Sequence, residues 1–372
     1  MKLLRVRAYN FKNCCDGTEI DFVPKSKKTS EDKEYELMEI ADGLYVYSTM
    51  AFVGKNASGK TTAMELLDSC YSILGEFRLE NRHYSYDGVR LEIVFYHEGD
   101  IYRYETALRS DSTSENRAIF CNQHIYRKKY YKTKLNSIYD SDGFEEIIVE
   151  GELPEDTARV FFVLKKKQTV SAYFDSTGEG VNTYQRLFNV VKNYHISGEA
   201  LANIIRIFDE NIEGLCRIDD HNFKMTINGE CKIYSDNELI YLLSSGTTKG
   251  ILLYAMMVAS LQNGFDLLID EIETHFHKTL VENMINLYKD KSVNKKNATL
   301  IFTTHYCEVL DLFNRQDNLW VCQAEDKVKI SNMYDTYDLR SGLLKSRQFY
   351  NNTFHTAVNY EELMNLKRGL MR

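Results

Sequence analysis

Apolar and polar residues alternate over Leu3–Ala8 and again over Glu19–Phe22, beyond a turn at Asp16-Gly17, which predicts a strand and its hairpin partner. A charged, lysine-rich stretch from Lys25 to Glu39 breaks the pattern and reads as a solvated insertion. The apolar run Tyr45–Val53 then enters a glycine-rich loop, and Thr61–Leu74 carries Met64, Leu67 and Leu74 at helical spacing, giving strand, loop and helix in succession. Arg90–Tyr96 and Ile101–Thr106 are aromatic and β-branched, and the turn Glu98-Gly99-Asp100 between them predicts a hairpin. Residues 109–240 are the least periodic, with short strands and helices near Tyr184–Tyr194 and Gly198–Glu210. Regularity then returns as a helix over Thr248–Gln262, a strand over Asp266–Asp270, a helix over Lys278–Lys289, a strand over Thr299–Thr304 and a helix after His305. Such alternation predicts an α/β fold with parallel strands and crossover helices. There is no internal repeat and no sustained heptad seam.

A chain of 372 residues exceeds the usual size of one domain. We divide it at the sequence level into 1–108, an inserted lobe at 109–238, a second half of the same body at 239–345, and a C-terminal docking segment at 346–372. Two prolines and 44% apolar residues argue for a chain folded throughout. The longest clean apolar run, Gly250–Leu261, is far short of the ~20 residues that span a bilayer and predicts a buried helix. The N-terminus lacks the apolar core of a signal peptide, so a cytoplasmic location without membrane contact is expected. Eight cysteines, at 14, 15, 70, 121, 216, 231, 307 and 322, form no CxxC pair and are expected as reduced thiols. A net charge of −8 confines any nucleic-acid binding to a local patch.

Four segments carry chemistry. Gly54-Lys55-Asn56-Ala57-Ser58-Gly59-Lys60-Thr61, followed by Thr62, satisfies GxxxxGK[ST] between an apolar strand and a helix. In that context backbone N–H groups wrap phosphates, Lys60 reaches β and γ oxygens, and Thr61 holds Mg²⁺. Phe265–Asp270 is an apolar strand whose end delivers two adjacent carboxylates, Asp270 for Mg²⁺ and Glu271 as general base toward water. Leu243-Ser244-Ser245-Gly246-Thr247 precedes an apolar helix; alone, such a run is usually a helix cap. Leu300–Thr304 ends in His305, 34 positions after Glu271.

In this order the four segments resemble those of compact ATP-binding-cassette (ABC) ATPases of the kind that form OLD, RecF and SMC heads, often grouped as AAA family ATPases. Asn10-Phe11-Lys12, Ile207-Phe208-Asp209 and Asp270-Glu271-Ile272-Glu273 strengthen the resemblance, which covers residues 1–110 and 200–345. It implies a P-loop fold of ABC type: a mixed sheet with flanking helices, an N-terminal antiparallel β subdomain and an inserted lobe. It also implies ATP and Mg²⁺ as ligands, and a head-to-tail homodimer, or a higher even-numbered oligomer, in which Ser244, Ser245 and Gly246 of one copy cap the γ-phosphate held by the other. His305 matches the switch histidine, while Glu273 and His277 follow the carboxylate pair as weaker candidates. Gln123 is the one candidate for the glutamine of the Q-loop, and no aromatic residue presents itself for adenine stacking. His275 and His277 beside a carboxylate fit the same motif without zinc.

Tyr126–Lys134 packs five positive charges, Arg127, Lys128, Lys129, Lys132 and Lys134, into nine residues that could grip nucleic acid or an acidic partner, although such runs are more often solvated faces. Lys165–Lys167 is a weaker run, and Pro154-Glu155-Asp156 only faintly resembles a restriction-type nuclease core. The 67 residues after His305 are too few for a TOPRIM domain. Any nuclease or other effector is therefore expected in a separate chain, as for the ATPases of the anti-phage systems Septu, AbiL and PARIS, which this sequence resembles. The alternative is a repair or chromosome-maintenance ATPase of the RecF or SMC kind; a transporter subunit ranks third. Asp338–Phe349 and a helix over Tyr360–Arg368 are expected to dock or to pack on a sheet edge.

Overall fold

The computed structural model describes all residues except 81–83, 111–116, 175–181, 220, 275–276, 338–343, 352–359 and 371–372. Its centre is a six-stranded sheet in the order Ser171–Phe174, Asp266–Ile269, Leu300–Thr304, Thr49–Val53, Leu319–Ala324 and Val328–Asn332. The first five strands are mutually parallel and the sixth is antiparallel. The three central strands are almost wholly apolar because both faces of the sheet are covered. Side-chain alternation divides them between two cores. Val53, Ile269 and Phe302 face the cluster that includes the helices Ser245–Asn263 and Lys278–Lys289, whereas Phe52, Leu268 and Ile301 face the helix Lys60–Glu76.

That helix is amphipathic in sequence but buried nearly all round, with 13 of its 17 residues inaccessible. The cause is a second six-stranded sheet on its far side, entirely antiparallel, in the order Thr18–Asp21, Lys2–Tyr9, Arg90–His97, Asp100–Ser110, Ala118–Lys129 and Glu145–Glu146. Both predicted hairpins lie in it. The helix is sandwiched between the two sheets, and Asp266 ties the layers together: it accepts from Lys2 Nζ at 2.7 Å, Tyr71 Oη at 2.8 Å and the Thr299 amide at 2.9 Å.

The segment expected as one inserted lobe is divided. Ala118–Lys129 extends the antiparallel sheet, so the 108/109 boundary falls inside the strand Asp100–Ser110. Ser171–Phe174 forms an edge of the central sheet. Only the remainder, the helices Asn182–Asn193 and Gly198–Phe208 with the small sheet Ile212–Arg217, Asn222–Ile227 and Glu230–Ser235, forms a lobe, which packs against the helix Ser245–Asn263. Weak periodicity concealed this division, and Ser171–Phe174 takes its partner, Asp266–Ile269, from distant sequence.

The solvated reading of Lys25–Glu39 is also corrected. The helix Ser30–Tyr35 is capped by Thr29 and Asp32, and Asp32 turns inward to Arg315 at 2.7 Å. Arg315 also holds Asp317 at 2.6 Å, and Glu36 accepts from Lys289 Nζ at 3.0 Å. All five side chains are at most 9% exposed, so charge here marks an anchored segment. After His305 the chain forms a short 3₁₀ segment, Cys307–Leu312, in place of the expected α-helix. Lys345–Tyr350 docks on it through the Ser346 amide and Asp311 Oδ1 at 3.1 Å, while 338–343 of the stretch Asp338–Phe349 lie outside the described residues. The described side chains of the helix Tyr360–Leu370 are exposed. All eight cysteines are free thiols, and among the described residues no helix is long and apolar enough to cross a membrane.

Candidate functional site

The carboxyl ends of Phe174, Ile269, Thr304 and Val53 align across the central sheet, the edge at which α/β sheets hold ligands. The loop after Val53 turns back over this edge with Ala57 and Gly59 in left-handed backbone, φ 59° and 94°. A Cβ at Gly59 would collide with the methyls of Val328, and one at Gly54 would meet the Ser58 hydroxyl and, at 2.5 Å, the Cys322 carbonyl. Both glycines are required by close approach as well as by curvature. Lys60, 5% exposed, donates to the carbonyls of Gly54 at 3.1 Å and Lys55 at 3.0 Å, and its Nζ lies 3.4 Å from His305 Nδ1. Burial lowers the pKa of its ammonium, and the neighbouring Cys322, Asp270, Glu271 and Glu273 oppose that shift.

Asp270, at the end of its strand, accepts from Thr61 Oγ1 through Oδ2 at 2.7 Å and from Thr303 Oγ1 through Oδ1 at 2.6 Å. Glu271 has left-handed backbone, φ 52°, and its Oε1 lies 3.5 Å from His305 Nε2. The backbone amide of His305 in turn donates to Glu273 Oε1, and Glu273 Oε2 is buried with no hydrogen-bond partner among the described residues. Three distant stretches thus meet at one cleft of 470 Å³, lined by Asn56 through Thr62, Glu271 and His305, together with Asn13 and Val328.

Asn13 and Val328 were not found by sequence reasoning. Val328 pairs with the loop after the first strand, accepting from the Cys15 amide and donating to the Asn13 carbonyl, each at 2.8 Å. No short motif signals such a contact. Thr303 was missed too, although a hydroxyl at the end of an otherwise apolar buried strand was a readable sign.

The remaining candidates lie elsewhere. Ser244 caps the helix Ser245–Asn263, accepting the Thr247 amide at 3.1 Å, and neither Ser244 nor Gly246 lines the cleft of its own chain. Gln123 sits in the antiparallel sheet, where its Oε1 accepts from Tyr104 Oη at 2.6 Å and the Arg159 amide at 2.7 Å. His277 is the exposed cap of the helix Lys278–Lys289, with Nδ1 3.1 Å from Thr279 Oγ1; His275 lies outside the described residues. The basic run is partly neutralised. Lys128 is buried, donating to the Ser137 and Asp140 carbonyls at 2.8 and 3.0 Å; Lys129 faces Asp100 and Lys132 faces Asp42. Arg127 and Lys134 share a depression with Asp100 and Glu145. Asp156 pairs with Arg117 at 2.8 Å.

The donors in the cleft suit a magnesium–nucleotide pair. Ser58 Oγ is buried without a partner among the described residues beside the loop amides, and Thr61 and Asp270 offer adjacent hard oxygens. No group of three or more metal-binding side chains converges among the described residues, so a cation here would need phosphate oxygens as further ligands, as Mg²⁺ commonly does.

Glycine loop, facing carboxylates and sheet order together define an α/β fold with a mixed central sheet, flanking helices and an antiparallel subdomain. The chain is similar in structure to the SMC head domain from Thermotoga maritima, at 17% identity over 89% of this chain and 99% of that one, with a TM-score of 0.39. It is likewise similar to the SMC head bound to the C-winged helix domain of ScpA, at 10% identity over 91% and 100% of the two chains, with a TM-score of 0.48. No protein-family model and no curated protein matches the sequence.

Proposed function

We propose that this chain is an ATPase of ABC type that binds ATP with Mg²⁺ on Gly54–Thr62 and hydrolyses it when a second copy closes the cleft head to tail. The observation that carries the reading is the meeting of Lys60, Thr61, Asp270, Glu271 and His305 at one cleft. The loop amides and the amino end of the helix Lys60–Glu76 favour phosphate oxygens. Lys60 exchanges its two carbonyl partners for β and γ oxygens, gaining charge-assisted hydrogen bonds. Thr61 and Asp270 would hold Mg²⁺, which would supply charge neutralisation to the phosphate oxygens. Glu271 accepts a hydrogen bond from the attacking water, and His305 orients its carboxylate toward the γ-phosphate. The cap at Ser244–Gly246 is exposed or half-exposed where described and does not line the chain's own cleft, as a surface that serves the partner copy requires.

The test is Glu271→Gln. It should bind ATP, lose turnover by about 10²-fold or more and accumulate as a dimer, whereas Lys60→Ala should bind no ATP. Normal hydrolysis by Glu271→Gln would remove that residue from its role.

For the biological role, we propose that ATP-driven dimerisation signals to a separate effector, a nuclease-type protein in anti-phage defence. In support, the longest helix among the described residues is the 19-residue Ser245–Asn263, and the basic run faces its own acidic neighbours. Mass spectrometry of partners held by Glu271→Gln in its native host decides the matter. Recovery of a toxin or nuclease supports this role, and recovery of only DNA with repair proteins supports chromosome maintenance.

A further inference from the structure

The strand Leu300–Thr304 is wholly buried and apolar up to Thr303, whose hydroxyl carries two hydrogen bonds. It gives its single proton to Asp270 Oδ1 at 2.6 Å and accepts the backbone N–H of Glu271 at 2.7 Å. The Thr303 carbonyl then accepts the N–H of Ile272 at 3.0 Å. The chain therefore leaves the strand Asp266–Ile269 by turning around one residue of the neighbouring strand, and the turn is made at Glu271, where φ is 52°. A left-handed glutamate is an unfavourable backbone state that persists only where its surroundings over-determine it. The return contact runs the other way, from the His305 amide to Glu273.

We propose that Thr303 is a positioning residue of the hydrolytic site, an inference that rests on the ATPase reading above. With Oδ1 of Asp270 occupied by Thr303, Oδ2 is left to Thr61 and the cation. With its amide held by the same hydroxyl, Glu271 keeps the backbone that aims its carboxylate at His305 and the cleft. Valine matches threonine in shape but supplies neither bond, leaving a buried carboxylate oxygen and a buried N–H unpaired. Serine restores both.

The experiment compares full-length wild type, Thr303→Val and Thr303→Ser by steady-state hydrolysis and by titration with a fluorescent ATP analogue, with and without Mg²⁺. Thr303→Val should lower kcat by about thirtyfold, hold Mg²⁺-free affinity within about twofold and lose most of the affinity gained on adding Mg²⁺. Thr303→Ser should stay within about threefold of wild type in every measure. Unchanged turnover in the valine variant, equal damage in both variants, or Mg²⁺-free affinity falling in step with kcat would each overturn the proposal. Should Thr303→Val not fold, Thr303→Ala gives the same comparison. A wild type that hydrolyses alongside an unaffected valine variant refutes only the positioning role. A wild type that neither binds nor hydrolyses ATP removes the ATPase reading and the positioning role together.

Discussion

Asp21 shows how burial sets the behaviour of a single residue. Its Oδ1 accepts from Tyr139 Oη at 2.7 Å and the Val23 amide at 2.9 Å, yet burial outweighs both bonds and pushes its pKa up from 3.8 to about 6. Between those two values the folded state binds the proton more tightly than the unfolded chain does, so Asp21's contribution to stability declines as pH rises from about 4 to about 6. Above that window the cost of an ionised, buried Asp21 is fully present. Asparagine keeps an oxygen for both bonds and carries no charge. Asp21→Asn should therefore be more stable than wild type at pH 8 by on the order of 2 kcal/mol in urea denaturation, the difference vanishing below pH 4. A constant difference across that range would mean that packing, and not ionisation, separates the two proteins.

At the scale of elements, the sequence was readable wherever a segment carries its own instruction. The glycines at 54 and 59, the apolar strands ending at Asp270 and Thr304, and the alternating hairpin of Arg90–His97 with Asp100–Ser110 all announce themselves within a few residues. What stayed hidden depends on partners far along the chain. Val328 forms one wall of the cleft only because it pairs with the loop at Asn13–Cys15, and Ser171–Phe174 becomes an edge strand of the central sheet only beside Asp266–Ile269. The charged segment 25–39 misled for the same reason, because its acids meet Lys289 and Arg315 from the other end of the sequence. That anchor can be measured. Arg315→Met would leave Asp32 and Asp317 buried without their counter-charge and should cost about 3–5 kcal/mol in thermal or urea unfolding. A loss below 1 kcal/mol would mean that the segment holds its place without the pair.

For the whole molecule, the separation of cap and cleft within one chain has a stoichiometric consequence. In the proposed head-to-tail ATPase, Lys60→Ala would disable the phosphate loop, and Gly246→Asp would place an anion where a partner's phosphates arrive; each protein alone should be inactive. Mixed, they would form heterodimers in which one site carries both faults and the other neither, so hydrolysis should return to about a quarter of the wild-type rate. No recovery on mixing would argue that each copy works by itself.

The order of strands in the central sheet also governs how the molecule comes into being. Thr49–Val53, which leads into the phosphate loop, lies between Leu300–Thr304 and Leu319–Ala324. During synthesis this early strand must wait, without either neighbour, until about 250 further residues have left the ribosome. The cleft that defines the mature protein is then among the last features to form, and a chain cut short before residue 324 would carry the motif without the site.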